Sequence, residues 1–566
     1  MNPSVRRKIV FAILFIGMLS IGAGINNIPG AGAASQPVIV GSIRDRQGSP
    51  VSRAVIQLQT AGPVQVLAET HSQPDGSFSM AVPDPLPSGS LLHIERHHFK
   101  PLSIQIDAGA YTRLETNQVF SLSPVSLTRK VTAGFWAATV IFVVVLTLIA
   151  SGKLHTTLAA LLGASLIYAV SYLGYPFFED LYIFNFQDSL TFVDWNVIFL
   201  VMGMMIVIAI VEHTGIFQWL AFNAYRISKG KMWLLLPILM LITGVASAFL
   251  DNVTTMLLVT PMTIQIAIAL GINPLALLVP EVMASNVIGV STLVGTPTNI
   301  LIGSYGQISF NDFLNNLTPG VLLAFGGLIV YSWAVYCKDL AKAHKPTPLL
   351  LEKLAERGQI TQPDQLRKAG WVGLGMLVLF VIGESIHLLP AVTALMGATA
   401  LLFWIEPDIE EMIGAVDWTT LVFFISLFIV VGSIQEVGLI SLIAEKIQQL
   451  VGENLVAAMF AVIWLSALMS MVIANIPFTA AMLPVIGYLT ASIPGAGSKV
   501  LFYCLSVGAA MGGNGTLIGA SANMVTSGIS EAAGYRISYG YFLRKGLPAV
   551  LITVSLATIW LFFRFR

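Results

Sequence analysis

The chain has 566 residues, with 29 Lys+Arg against 29 Asp+Glu; only 10 % of residues are charged, 56 % are hydrophobic, and the mean hydropathy is +0.81. An average soluble domain is about a quarter charged, so this composition excludes a soluble enzyme, a disordered chain and a nucleic-acid binder working through a basic surface. Residues 1–130 hold 18 charges and residues 131–566 hold 40, of which the stretch 338–368 alone carries 11, and what remains is the near-neutral body of a polytopic membrane protein.

The N-terminus begins with Arg6, Arg7 and Lys8, then an apolar run from Ile9 to Ile25, then Ala31, Gly32 and Ala33. These are the three parts of a secretory signal peptide, expected over 1–33. An uncleaved signal anchor is the alternative, and either sends the next segment out of the cytoplasm.

Residues 37–128 read as a small extracytoplasmic β domain. Val38–Ile43, Ala54–Gln59, Phe78–Val82, Leu91–Glu95 and Leu102–Ile106 are short alternating or β-branched runs, separated by Gly, Pro and Asp. His93, His97 and His98 raise the question of a metal, but His97 and His98 are adjacent and would point to opposite faces of a strand.

From Ala133 the apolar segments follow in order: 133–150, 154–174, 195–213, 232–270, 275–303 and 317–337, then after the charged linker 370–386, 390–405, 418–435, 455–490, 500–527 and 546–563. Most match the about 20 residues needed to cross a bilayer. The segments 232–270 and 455–490 are too long for one helix, are interrupted midway by polar residues, and each read as a re-entrant hairpin. Cys337 and Cys504 end apolar runs and read as packing thiols. The lack of a P-loop argues against ATP-driven transport by this chain, and no metal motif or nucleophile–base pair marks an enzyme.

The two halves are copies. Asp194, Gly215, Ser247, Asn252 and Pro261 match Asp417, Gly438, Ser470, Asn475 and Pro484 at an offset of 223. Thr292, Gly295 and Asn299 match Thr516, Gly519 and Asn523 at 224, and Ser309, Phe313 and Pro319 match Ser538, Phe542 and Pro548 at 229. The predicted domains are therefore a first transport repeat at 133–337, a cytoplasmic linker at 338–368 and a second repeat at 369–566. Each repeat has five spans plus one hairpin. An odd span count turns the second copy upside down, the inverted-repeat plan of secondary transporters. With the β domain outside, 14 basic residues of the transport region fall in cytoplasmic loops and six outside them, as the positive-inside rule requires.

Four polar breaks then stand out. The hairpin tips carry Ser247, Asp251, Asn252, Thr254 and Ser470, Asn475, Thr479. The matching broken segments carry Ser291, Thr292, Gly295, Thr296, Asn299 and Asn514, Gly515, Thr516, Ser521, Asn523. Unwound backbone at membrane depth belongs where it lines a cavity, and paired breaks point to a midplane ion or substrate site. Half-helix N-termini offer N–H groups to an anion, and free carbonyls can hold a cation such as Na⁺. Each glycine taken alone could instead serve close helix packing, and each hydroxyl could bond its own backbone. Asp251 is the sharpest feature, because a charge at membrane depth costs about 2.5–3.5 kcal/mol on the lenient insertion scale. No Lys or Arg occurs between Lys231 and Lys338. Asp251, and secondarily Glu281, are thus candidate coupling carboxylates neutralised by H⁺ or Na⁺, a permanently protonated helix cap being the alternative for Asp251.

The strings Ser247 to Pro261, Glu281 to Asn286, Gly295 to Gly303 and Gly513 to Asn523 resemble the ion-transporter superfamily of arsenite permeases, NhaD-type sodium/proton antiporters, the P protein and citrate/dicarboxylate carriers, closest to the arsenite-permease/P-protein branch. Gly41, Asp45, Gly48 and Pro50, with Asp75, Gly76 and Phe78, resemble the carboxypeptidase-regulatory-like β-sandwich, which implies a structural or interaction module. The superfamily resemblance covers about 133–566. It implies elevator-like motion of each hairpin with its broken helix, and ion and substrate sites lined by Asn252, Asn475, Thr292 and Thr516. Relatives in this branch commonly carry Asp before Asn in both hairpins, whereas the second hairpin here has Ala474.

The sequence therefore predicts a secondary transporter of a small ion (arsenite, chloride, or Na⁺ against H⁺) in the plasma membrane. It needs no cofactor beyond the coupling ion and no nucleic-acid partner. A homodimer in the lipid bilayer is expected, with the β domain free to meet an extracytoplasmic partner. The alternatives are a Na⁺-coupled citrate or dicarboxylate carrier, and an anion channel.

Overall fold

The computed structural model describes residues 37–566 except 47, 49, 61–64, 84–86, 88, 107–118, 345–351, 353 and 357. The expected signal peptide at 1–33 lies outside the described residues. The chain divides into two units at Thr128/Arg129.

The first unit is built from two four-stranded sheets. One pairs β1 (Val38–Asp45) with β4 (Ser77–Ala81), β7 (Val119–Ser121) and β8 (Val125–Leu127); the other runs β3 (Val66–His71), β2 (Val55–Gln59), β5 (Leu91–Glu95), β6 (Leu102–Gln105). Alternate residues face one shared core: Ile39 and Ile43 from β1, Ile56 and Leu58 from β2, Phe78 and Met80 from β4, Leu92 and Ile94 from β5. This is the period-2 logic that the sequence showed. Strand β3 escapes that logic because Val66–His71 has no buried residue. His97 and His98 occupy a turn after β5 rather than a strand, with His98 at φ 67°.

The second unit is helical. Its first half contains α1 (Ala133–Ser151), α2 (Thr156–Ala169), α3 (Phe186–Leu190), α4 (Trp195–Glu212), α5 (Ile216–Ser228), α6 (Met232–Phe249), α7 (Asn252–Ala269), α8 (Leu275–Ile288), α9 (Pro297–Gly306) and α10 (Phe310–Leu340). Its second contains α11 (Pro363–Ile382), α12 (Pro390–Ile405), α13 (Ile409–Gly414), α14 (Trp418–Glu436), α15 (Leu439–Val451), α16 (Leu455–Ser470), α17 (Asn475–Ser492), α18 (Val500–Gly512), α19 (Ser521–Ala532) and α20 (Tyr539–Phe565). Among the described residues nine helices are long and apolar enough to cross a membrane, and four shorter apolar helices accompany them. In hydrocarbon every backbone polar group must be satisfied within its segment, which helices accomplish.

The repeat is visible in how the helices start. Asp194 caps α4 by accepting from the N–H groups of Asn196 and Val197, and Asp417 caps α14 by accepting from Thr420 N–H. Ser309 and Ser538 cap α10 and α20 in the same manner. Gly215 and Gly438 precede α5 and α15 with φ of 77° and 95°, a left-handed conformation that disfavours any side chain. Helices α5 and α15 were not anticipated as elements. They are short, with one apolar face: Phe217, Ala221 and Ala224 in α5, Ile440 and Ala444 in α15 are buried. A span-length apolar search passes over such helices, whereas the 3.6-residue period finds them.

The two over-long apolar segments each break into a helix pair. Helices α6 and α7 meet at Leu250 and Asp251, and α16 and α17 meet across 471–474. The arms belong to different neighbours: α7 packs on α19 of the second half, and α17 packs on α9 of the first. The halves are thus interlocked.

Candidate functional site

The two broken segments are built alike. In the first, α8 ends in a 3-10 turn at Gly289–Ser291, the backbone extends at Thr292, and α9 restarts after Thr296. In the second, α18 ends in a 3-10 turn at Gly513–Gly515, extends at Thr516, and restarts as α19 after Ala520. Thr292 Oγ1 donates to Ala248 O at the first hairpin tip, and Thr516 Oγ1 donates to Met471 O at the second, 2.6 Å. Each threonine also accepts from the glycine three residues on, Gly295 N at 3.0 Å and Gly519 N at 3.1 Å. Asn299 Nδ2 ties down Val290 O and Thr292 O, and Asn523 Nδ2 ties down Gly513 O and Thr516 O, all within 2.8–3.0 Å. The amides therefore satisfy the carbonyls that unwinding frees, as a low-dielectric interior demands.

Gly295 and Gly519 lie where tip and broken segment touch. A Cβ on Gly519 would sit 2.6 Å from Gly513 O and 2.8 Å from Ser470 O; on Gly295 it would sit 2.5 Å from Gly289 O and 2.9 Å from Ser247 O. All four obstacles are backbone and cannot rotate away. Gly519→Ala is expected to abolish recovery of folded protein on size-exclusion chromatography of detergent extracts. Gly528→Ala, on the following helix α19 but facing open space, is expected to elute like the parent chain.

The halves are joined by a chain of buried amides. Asn252 Nδ2 donates to Asn286 Oδ1 at 2.7 Å, and Asn286 Nδ2 donates to both Asn514 Oδ1 at 2.8 Å and Asn523 Oδ1 at 3.0 Å. Asn514 Nδ2 returns to Met283 O at 3.1 Å. Ser506 Oγ donates to Asn299 Oδ1 at 2.6 Å. Asn286 and Ser506 link the two halves but fall outside the repeat argument. Each projects from the helix that leads into a broken segment, and the matching positions are Ala510 and Val282, so neither has a counterpart. The available signal in α8 was an amide on a helix that is apolar apart from Glu281 and Ser285.

Both hairpin tips open on one cavity of about 500 Å³. Asp251, Val253 and Thr254 line it from the first tip, Ala474, Ile476 and Pro477 from the second, Pro297 and Ser521 from the broken segments. Asp417, Thr419, Thr420, Glu212 and His155 add to its polar wall; among the described residues no Lys or Arg lines it. Asp251 Oδ1 accepts from Val253 N–H at 2.9 Å and Thr254 N–H at 3.0 Å, and Oδ2 accepts from Thr254 Oγ1 at 2.5 Å. At Asp417 partial burial disfavours the charge, but the hydroxyls and N–H groups of Thr419 and Thr420 outweigh it and hold the carboxyl below its usual range. Three carboxyl groups, those of Asp251, Asp417 and Glu212, thus meet in one cavity.

The half-helix N-termini facing this cavity differ between repeats. Asp251 closes α7, and Thr296 Oγ1 closes α9 through Asn299 N–H at 3.2 Å. At the equivalent positions of the second repeat Ala474 and Ala520 leave α17 and α19 with no side-chain cap.

Of the residues singled out in the sequence, Asp251, Thr254 and Ser521 line the cavity. Asn252, Thr292, Gly295, Thr296, Asn299, Asn514, Gly515, Thr516 and Asn523 lie behind it in the packed framework. Ser291 Oγ and Ser470 Oγ donate to Ile288 O and Ala509 O, both at 2.6 Å, and Ser247 Oγ accepts from Ser285 Oγ at 2.9 Å. Asn475 and Thr479 are buried in α17, and Thr479 Oγ1 has no partner. Glu281 is fully buried away from the cavity; Thr263 Oγ1 donates to its Oε1 at 3.1 Å, and its Oε2 has none.

A multi-pass helical body with paired broken helices and a polar cavity at their junction defines a membrane transporter. The sequence profile of the CitMHS family, described as citrate transporters, matches residues 146–502, and the chain belongs to that family. An uncharacterized transporter of Mycobacterium tuberculosis is 37 % identical over 76 % of this chain and 98 % of its own length. The P protein of Homo sapiens is 33 % identical over 75 % of this chain and 59 % of its own length. Among solved structures, the Alcanivorax borkumensis YdaH transporter is similar at a TM-score of 0.48 and 15 % identity, over 76 % of this chain and 97 % of that one.

Proposed function

We propose that this protein is a secondary active transporter of a small ion, coupled to H⁺ or Na⁺, with Asp251 as the coupling-cation site. The observation that carries the reading is the placement of Asp251 at a hairpin tip, in a cavity shared with the other tip and lined by carboxylates without Lys or Arg. Such a cavity attracts cations. Binding one removes the cost of the charge at membrane depth, and that gain is available to drive a conformational step. The moving parts are the helix pairs α6–α7 and α16–α17 with their broken segments, working elevator-fashion against the remaining spans of two inverted repeats. The charge bias of the loops orients the Glu212 end of α4 to the cytoplasm and the β unit to the outside of the plasma membrane. In this scheme the protein works as a homodimer, with the β unit available to an extracytoplasmic partner.

The uncapped N-terminus of α19 favours a second reading, a Na⁺-coupled citrate or dicarboxylate carrier, because the N–H groups at a helix start bind carboxylates. Flux in proteoliposomes distinguishes the readings, using arsenite, chloride, Na⁺ and citrate with and without imposed pH or Na⁺ gradients. Saturable, gradient-driven flux of one inorganic ion is the expected result. Na⁺-driven citrate flux alone would favour the carboxylate carrier. Large unitary currents without gradient dependence would replace both with a channel.

A further inference from the structure

A second cavity, of about 430 Å³, lies beside the first. Asn196 and Val197 at the start of α4 line it, together with Ser304, Glu384, His387 and Pro390. The tip cavity is lined instead by Ala209 and Glu212 at the end of α4. The two cavities therefore open at opposite ends of one span.

Between them the wall is one side chain thick. Ile300 of α9 lines both cavities. On α4 the boundary falls between Leu200 and Val201, and before α9 it falls between Leu293 and Val294, the first of each pair lining the second cavity and the other the tip cavity. Ile300, Leu200 and Leu293 are 5 %, 4 % and 3 % exposed. All the side chains along this seam are aliphatic, and an aliphatic constriction stops ions by excluding water. No hairpin-tip residue lines the second cavity, so in this conformation the candidate ion site communicates only with the Glu212 end.

We infer that the two cavities are half-pathways of one route along α4, and that Ile300 is the seal which separates them. The inference rests on the transport reading above, and it makes α9, which carries Ile300, the element whose displacement past α4 transfers access from one end to the other. It names a residue with no polar atom, remote from every hydrogen bond of the site, as a determinant of tightness.

The test is reagent access, which needs no substrate. In a chain carrying Cys337→Ser and Cys504→Ser, Ser304→Cys reports the second cavity and Val525→Cys the tip cavity. A charged, membrane-impermeant methanethiosulfonate is applied to intact cells and to inverted vesicles. Each reporter is expected to react from one side only, the two from opposite sides. Adding Ile300→Ala is expected to raise wrong-side labelling of Val525→Cys at least about tenfold; Leu200→Ala, on the same seam, is expected to do likewise and stands in should Ile300→Ala not fold. Reporters reacting from the same side, or wrong-side labelling unchanged in a folded seam variant, would overturn the inference. A result of that kind leaves the Asp251 reading standing, whereas failure of the flux panel leaves the labelling pattern intact.

Discussion

Asp251→Asn is expected to lower gradient-driven flux about a hundredfold and to flatten its dependence on pH or Na⁺. The substitution separates two roles of the same side chain. Asp251 caps α7 through Oδ1, and Asn caps helices as well as Asp does. Folding and the tip geometry are therefore preserved, and only the charge in the cavity is removed. A hundredfold loss corresponds to about 2.7 kcal/mol of cation interaction, within the range for charge-assisted contacts in partly buried sites. Asp251→Ala removes cap and charge together and is expected to add a thermal destabilisation of about 1 kcal/mol. Flux and ion dependence unchanged in Asp251→Asn would reduce Asp251 to a cap. The second repeat provides an internal comparison: Ala474 occupies the same place without a carboxylate, and α17 forms nonetheless. The cap is thus dispensable for making a half-helix, which favours a role in the cavity for the carboxylate that repeat 1 retains.

Much of this architecture was legible because it is written twice. The helix starts at Asp194 and Asp417 and the left-handed glycines at Gly215 and Gly438 recur at an offset of 223, the threonines Thr292 and Thr516 of the broken segments recur at 224, and each pair plays the same local part. Hidden from that reasoning was whatever the copies do not share. Asn286 and Ser506 reach across the pseudo-symmetric interface from positions with apolar counterparts. Ile300 was invisible for another reason, since nothing in an aliphatic residue distinguishes a seal from ordinary core. The sorting of the polar residues was equally beyond sequence. Ser247, Asp251 and Thr254 all belong to one tip string, yet the fold turns Ser247 inward to Ser285 and leaves Asp251 and Thr254 on the cavity. Which way a side chain faces at a helix break depends on the extended residue beside it, here Leu250 at ψ 156°, and no periodicity encodes that.

Asn286→Ala is expected to destabilise the helical unit at the contact between its two halves. One interhelical hydrogen bond in a membrane protein is worth only about 0.6 kcal/mol on average, because separated helices find other partners. Asn286 is different in number and in setting. Its amide is shared by Asn252, Asn514 and Asn523, which are 5 %, 0 % and 0 % exposed. Removing it strands three buried polar atoms at once, each carrying a desolvation cost of about 1–3 kcal/mol. Asn514 Oδ1 and Asn523 Oδ1 belong to the second repeat while Asn252 belongs to the first tip, so the loss falls on the contact between halves. A destabilisation of at least about 3 kcal/mol is expected, read as lower thermal stability in detergent. Asn252→Ala alone should cost less, since it strands one partner. The double variant should be no worse than Asn286→Ala by more than about 0.5 kcal/mol, because the two share a bond. Strict additivity of the two, or a shift in Asn286→Ala no larger than that of Asn252→Ala, would show that the amide chain does not hold the halves together. Because Asn252 follows Asp251 directly, the same cycle measured on flux reports whether the second repeat reaches the proposed coupling carboxylate through this chain. Coupling in stability with none in flux would confine Asn286 to assembly.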